Sequence, residues 1–139
     1  EVLIGELVAV RADHVLVVHC DGLDEIGLAA PTTVVELRDG EITSYEIKPG
    51  DFGIASTSHD ALSMDSPEQS LALVRQALGE PDSAAADIVS LNAGAAIYAS
   101  GVATSLANGV TMAQDAIASG LAKERLAELA RVTTLMAES

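Results

Sequence analysis

Hydrophobic positions follow two rhythms along the chain, and the rhythm changes near residue 66. Before it, short runs rich in β-branched residues are cut by Gly- and Pro-containing turns; after it, apolar residues recur at helical spacing between polar caps. The first half therefore predicts strands and the second half helices. Val2-Leu3-Ile4 and Leu7-Val8 sit at helical spacing and predict a helix over 2–10 that covers one face of a strand at 15–19. Val34-Val35-Glu36-Leu37 and the alternating stretch 42–47 lie on either side of Asp39-Gly40. A type I′ turn needs positive φ at both central residues, so Asp-Gly in that setting predicts an antiparallel hairpin beside the first strand. Pro49-Gly50-Asp51 closes the hairpin, and Phe52-Gly53-Ile54 is expected to fold back onto the core.

Residues 55–65 are rich in Ser, Thr and Asp without periodicity, which predicts an exposed connection with His59 solvated. Ser66-Pro67-Glu68-Gln69 then reads as a helix start: Ser66 as N-cap, Pro67 in the first turn and Gln69 completing a capping box. That helix is expected to turn Leu71, Val74 and Leu78 inward and to stop at Gly79. Pro81-Asp82-Ser83 opens a second helix that stops at Gly101. Its small-residue centre, Leu91-Asn92-Ala93-Gly94, predicts the most buried helix, with Asn92 as a satisfied amide. A third helix from Thr104-Ser105 to Ser119-Gly120 presents Leu106, Val110, Ala113 and Ile117, and a fourth over 122–136 presents Leu126, Leu129, Ala130 and Leu135. The expected fold class is α/β: a strand and an antiparallel hairpin of a central sheet, followed by a layer of about four helices.

Composition narrows the function. With 139 residues and a 49% hydrophobic content the chain fits one domain, and its 2% aromatic content leaves Ala, Val, Leu and Ile to build the core. Twenty-one acids against seven Lys plus Arg give a formal charge of −14, which argues against nucleic acid because a phosphate backbone is gripped by basic residues. An anionic substrate would have to be met through a metal ion or by basic residues elsewhere in the protein. The single cysteine, Cys20, excludes an intramolecular disulfide and fits a reducing, cytoplasmic setting. No apolar run is long enough to span a membrane. The chain opens at Glu1 inside an apolar pattern, which suggests part of a longer protein.

One stretch points to chemistry. Leu16-Val17-Val18-His19-Cys20-Asp21-Gly22-Leu23-Asp24-Glu25 reads as a strand emptying through a Gly-containing turn into two adjacent carboxylates. In open α/β sheets ligands gather beyond the carboxyl ends of strands. Two carboxylates on a short loop can also converge on one hard divalent cation, for which Mg2+ is the natural candidate. Solvated loop acids are the alternative. His14 and His19, flanking the strand without any metal-ligand spacing, read as packed or hydrogen-bonded, and Cys20 as a small residue after the strand. No nucleophilic side chain stands out, and no P-loop or GxGxxG is present.

Taken together, the strand ending in His19, Asp21-Gly22-Leu23-Asp24-Glu25-Ile26, Pro31-Thr32-Thr33, Glu36-Leu37 with Asp39-Gly40, Pro49 with Asp51-Phe52-Gly53, Leu91-Asn92-Ala93-Gly94 and Ser119-Gly120 have the order and spacing of a known family. The chain resembles the C-terminal part of the anthranilate phosphoribosyltransferases. The resemblance implies that residues 1–139 are the C-terminal portion of a large α/β catalytic domain of the phosphoribosyltransferase/nucleoside phosphorylase-like fold. It implies transfer of phosphoribose from phosphoribosyl pyrophosphate (PRPP) to anthranilate in tryptophan biosynthesis by a homodimer. It also implies that Asp24 and Glu25 bind the magnesium associated with PRPP. The family's helical N-terminal domain, glycine-rich phosphate loop and anthranilate-binding residues match nothing here, so no substrate contact is assigned and the isolated chain is expected to be inactive. Cys20 and Gln69-Ser70 depart from residues common in the family, without touching the acidic pair. Two other readings stay open: a related phosphoribosyltransferase or nucleoside phosphorylase-like enzyme, and a non-catalytic magnesium-binding or interaction module.

Overall fold

The computed structural model describes residues 12–55 and 58–137. The helix expected over 2–10 lies outside them. Strands β1 (His14–His19), β2 (Thr32–Arg38) and β3 (Glu41–Ile47) form an antiparallel sheet in the order β1-β2-β3. β1 runs against β2 with His14 opposite Arg38 and His19 opposite Thr33, so the end of β1 lies beside the start of β2. The hairpin turns where expected: Asp39 and Gly40 have φ of 52° and 83°, the double positive pair that few residues other than Asp, Asn and Gly tolerate. A 3-10 turn, Pro49–Phe52, follows, and Ile54 returns to the core at 5% exposure.

Four α-helices follow among the described residues: α1 (Pro67–Gly79), α2 (Ala84–Ala99), α3 (Leu106–Ala118) and α4 (Leu121–Ala137). The first three begin at serine caps, Ser66, Ser83 and Ser105, each accepting the backbone N–H three residues on. The capping box at Ser66 is only half formed. Gln69 Oε1 accepts from the Asp65 N–H rather than from Ser66, which extends the cap by one residue.

Packing is closest between α2 and α3, where Gly94 and Gly109 bring two backbones together. A Cβ on Gly94 would sit 2.5 Å from the Val110 backbone nitrogen, and one on Gly109 would overlap the Gly94 carbonyl. Ile26, Leu28, Val34, Ile47, Ile54, Leu91 and Val110 form the core between the sheet and this helix pair. The inward faces expected for α1 and α4 are corrected. In α1, Ala77 is buried while Leu71 and Val74 are 46% and 40% exposed. α4 buries no residue, and Leu129 and Leu135 are more than half exposed. Their apolar periodicity builds amphipathic helices, but within the described residues it finds little to pack against. Leu71, Leu78, Leu126 and Ala130 instead line a groove between the two helices, flanked by Arg75 and Lys123.

Candidate functional site

At the end of β1 the chain reverses over two residues. Cys20 and Leu23 exchange backbone hydrogen bonds of 2.9 Å in each direction, and Asp21 and Gly22 between them have φ of 46° and 86°. This is a second Asp-Gly turn of the kind that closes β2–β3, made without a following strand. Cys20 is buried to 1% exposure beneath it, its Sγ 3.4 Å from the Ala30 carbonyl, as a small packed residue would be. Asp24 and Glu25 come next and are exposed, the Asp24 side chain almost completely. Immediately beyond, Ile26, Gly27 and Leu28 plunge into the core.

The acidic pair therefore sits on a short crest between two anchored points. His19, itself exposed, lies alongside: its Nδ1 is 3.3 Å from Asp24 Oδ1, and the Gly22 N–H points at its Nε2 from 3.4 Å. Both contacts are met by the neutral ring with the proton on Nδ1, which donates to Asp24. Among the described residues no group of three or more His, Cys, Asp and Glu side chains converges as a metal cage. Two exposed carboxylates still match the donor set magnesium ordinarily takes: hard oxygens from one or two side chains, with waters and substrate phosphates completing an octahedron. The pair lies just beyond the carboxyl end of β1, in a sheet whose described strands are all antiparallel, and is presented by the turn and the buried segment behind it.

That buried segment has no regular secondary structure, yet each of its three N–H groups meets a side chain. Ile26 N–H donates to Asn92 Oδ1 at 2.9 Å, Gly27 N–H to Thr32 Oγ1 at 3.2 Å, and Leu28 N–H to His59 Nε2 at 2.7 Å. Asn92 also donates from Nδ2 to the Ile26 and Ile88 carbonyls at 2.9 and 3.0 Å, confirming it as a satisfied amide. His59 is corrected: it is half-buried and serves as an acceptor rather than lying in solvent. A Cβ at Gly27 would overlap Cys20 Sγ and lie 3.1 Å from the His59 ring, so only glycine fits between them. Beside the segment, Leu28, Ala30, Pro31, Lys48, Pro49 and Ile54 line an open, mainly apolar cleft of about 440 Å³; Asp24 and Glu25 are not among its lining residues.

A second polar cluster lies toward the other end of the sheet. Glu36 Oε1 accepts from Tyr98 Oη at 2.7 Å and contacts His14 Nε2 at 2.8 Å, while Oε2 accepts from Tyr45 Oη at 2.8 Å. Arg38 donates to Tyr98 Oη at 2.9 Å, and the His14 ring stands edge-on to Tyr98 with centroids 4.6 Å apart. Burial pushes the Glu36 carboxyl up, but the hydrogen bonds from Tyr98, Tyr45 and His14 outweigh it and hold the group below the ordinary glutamate value. Burial and the adjacent carboxylate push Tyr45 and Tyr98 above the ordinary tyrosine value. Sequence reading gave a structural role to His14 alone in this cluster, Glu36 entering only as part of the Glu36-Leu37 piece of the family resemblance. The available clue was alternation along the strand, which puts the charged Glu36 on the same face as the fully buried Val34.

The chain is similar to known proteins over most of its length. The chain is 56% identical over 127 residues to the anthranilate phosphoribosyltransferase of Stutzerimonas stutzeri (strain A1501), covering 88% of this chain and 36% of that protein. It is 57% identical over 127 residues to that of Cellvibrio japonicus (strain Ueda107), covering 88% of this chain and 37% of that one. The chain thus spans a little over a third of the curated relatives it matches. The crystal structure of anthranilate phosphoribosyltransferase from Thermus thermophilus superposes with a TM-score of 0.67 at 37% identity, over 77% of this chain and 32% of that one. The Saccharomyces cerevisiae enzyme in complex with 4-fluoroanthranilate shares the fold alone, with a TM-score of 0.65 at 18% identity over 77% of this chain and 32% of that one. The α/β architecture is that of the phosphoribosyltransferase/nucleoside phosphorylase-like fold. Because residues 2–123 match the model described as glycosyl transferase family, a/b domain, the chain belongs to the glycosyl transferase family.

Proposed function

We propose that the whole protein transfers phosphoribose from PRPP to anthranilate, yielding N-(5-phosphoribosyl)anthranilate and pyrophosphate in tryptophan biosynthesis. In this reading residues 1–139 form the C-terminal portion of its α/β catalytic domain, and the protein works as a cytoplasmic homodimer. The observation that carries the proposal is the 56% identity over 127 residues to a relative named for that activity, which includes the region of the acidic crest. Within this chain, Asp24 and Glu25 would hold Mg2+ through their carboxylates, with His19 orienting Asp24 by donating from Nδ1. The bound ion supplies neutralisation of charge on the leaving pyrophosphate. This would let a chain of charge −14 take part in chemistry on an anionic substrate, with the two crest acids holding a cation and the cation offsetting phosphate charge. The exposure of both acids suits that division, because the crest leaves room for substrate oxygens and water.

The test is a magnesium titration of the initial rate in the whole protein, followed by PRPP-dependent loss of anthranilate fluorescence. Replacing both acids (Asp24→Asn with Glu25→Gln) keeps size and hydrogen bonding and removes the charge. The rate should fall about 10²-fold or more, the scale of losing one strong electrostatic stabiliser. An unchanged rate and magnesium midpoint would return the pair to solvated loop acids.

A further inference from the structure

Holding an exposed pair of acids in one geometry is a problem for a loop without regular secondary structure. Here the upstream side is solved by the reciprocal Cys20–Leu23 hydrogen bonds. Downstream, three consecutive backbone N–H groups are each taken by a side chain from a different part of the fold: Asn92 from α2, Thr32 from the start of β2, and His59 from the segment leading to the 3-10 turn Asp60–Leu62. These partners are 66, 5 and 31 residues away in sequence, so the segment is held by tertiary structure and not by its own conformation.

We infer that Asn92, Thr32 and His59 are positioning residues for the acidic pair: by fixing residues 26–28 they hold the Asp24 and Glu25 carboxylates toward a common point. The inference rests on the proposed metal role of those acids. Asn92 carries most of it, because it grips Ile26, the residue next to Glu25, by both N–H and carbonyl. A residue bound on both sides cannot swing, and the pivot nearest the acids is removed. His59 must present an unprotonated Nε2, so its ring is the tautomer carrying the proton on Nδ1. Gly27 lets the segment lie close against Cys20 and His59.

The experiment uses the whole protein and Mn2+ with inorganic pyrophosphate as the probe, with affinity read from the electron paramagnetic resonance of free Mn2+ at a temperature where circular dichroism shows each variant fully folded. The acid-pair variant should lose binding altogether. Asn92→Ala, His59→Ala and Thr32→Val should each weaken Mn2+ by about 10-fold, the low end of what losing an outer partner of a metal ligand costs, since the effect is relayed through backbone. His59→Gln, whose amide oxygen can accept the Leu28 N–H, should recover most of the loss; a role confined to folding predicts no such recovery of affinity among variants that are all folded. His59→Ala and Thr32→Val keep the test open if Asn92→Ala does not fold. Parent affinity in the three positioning variants, with binding lost in the acid-pair variant, would overturn the inference and leave the metal role standing. Parent affinity in the acid-pair variant would overturn both.

Discussion

Replacing Glu36 by Gln tests how the second polar cluster holds the sheet to α2. The carboxylate receives hydrogen bonds from Tyr98 and Tyr45 and contacts His14, all within 2.7–2.8 Å, and its side chain is only 9% exposed. Bonds to a charged group contribute about 1.5–3 kcal/mol each, so three total roughly 5–9 kcal/mol. Burying the carboxylate costs several kcal/mol. The depressed carboxyl pKa means that the bonds win, leaving a net advantage for the charged form over a neutral isostere. Glutamine retains one acceptor oxygen and turns the other into a donor facing a hydroxyl or imidazole N–H. The sign with pH follows from the direction of the shift. A carboxyl held below its ordinary value contributes stability that is fully present above that value and is lost as pH falls through the native pKa. Urea unfolding of parent and Glu36→Gln should therefore differ by about 1.5–3 kcal/mol at neutral pH, the scale of one hydrogen bond to a charged group, and the gap should close as pH falls through the depressed native pKa. Comparing two proteins at each pH cancels the protonation of the other acids. A gap that persists unchanged into acid, or a variant more stable than the parent at neutral pH, would refute the reasoning.

Gly109→Ala should lower stability by about 1–3 kcal/mol in thermal unfolding, because the new methyl overlaps the Gly94 carbonyl, whereas Gly50→Ala, with open space around it, should stay within about 0.5 kcal/mol. Gly40→Val should cost about 1–2 kcal/mol in the same assay, since φ of 83° is strained for a β-branched residue; a neutral result would mean that the turn re-forms in another geometry. The isolated chain should show no PRPP-dependent loss of anthranilate fluorescence, and turnover by it would show that the acidic crest and its surroundings suffice for the reaction. The acid-pair variant should melt within about 0.5 kcal/mol of the parent, because both side chains are exposed and remove only like charge from an acidic surface.

What could be read in advance was set locally. Asp39-Gly40 announced its turn because two successive positive φ values leave few residue choices, and Ser66, Ser83 and Ser105 announced helix starts because a hydroxyl is needed where N–H groups lack partners. Asp24 and Glu25 were legible as an exposed pair for the same reason, lying between a turn and an apolar run. What escaped was set across the fold. Nothing around His59 marks it as an acceptor for Leu28, 31 residues earlier, and a Ser/Thr/Asp-rich context argues for solvent. The Glu36 cluster joins residues from three strands and a helix, and no spacing in sequence encodes that meeting. For α1 and α4, periodicity correctly gave helices but not burial: an apolar stripe states which face can be covered, and Leu129 at 60% exposure shows that coverage is a separate matter.

The close contact of α2 with α3 has a bearing on the far side of α2. Gly94 and Asn92 are two positions apart on one helix, so they point in nearly opposite directions, one into the seam with α3 and the other toward Ile26. With no side chain at Gly94 or Gly109 to act as a compressible spacer, the depth at which α2 settles is set by contact of backbone on backbone, the stiffest stop a helix pair has. Asn92 inherits that setting. The crest at Asp24 and Glu25 is thus surveyed from a fixed benchmark on the opposite side of the helix.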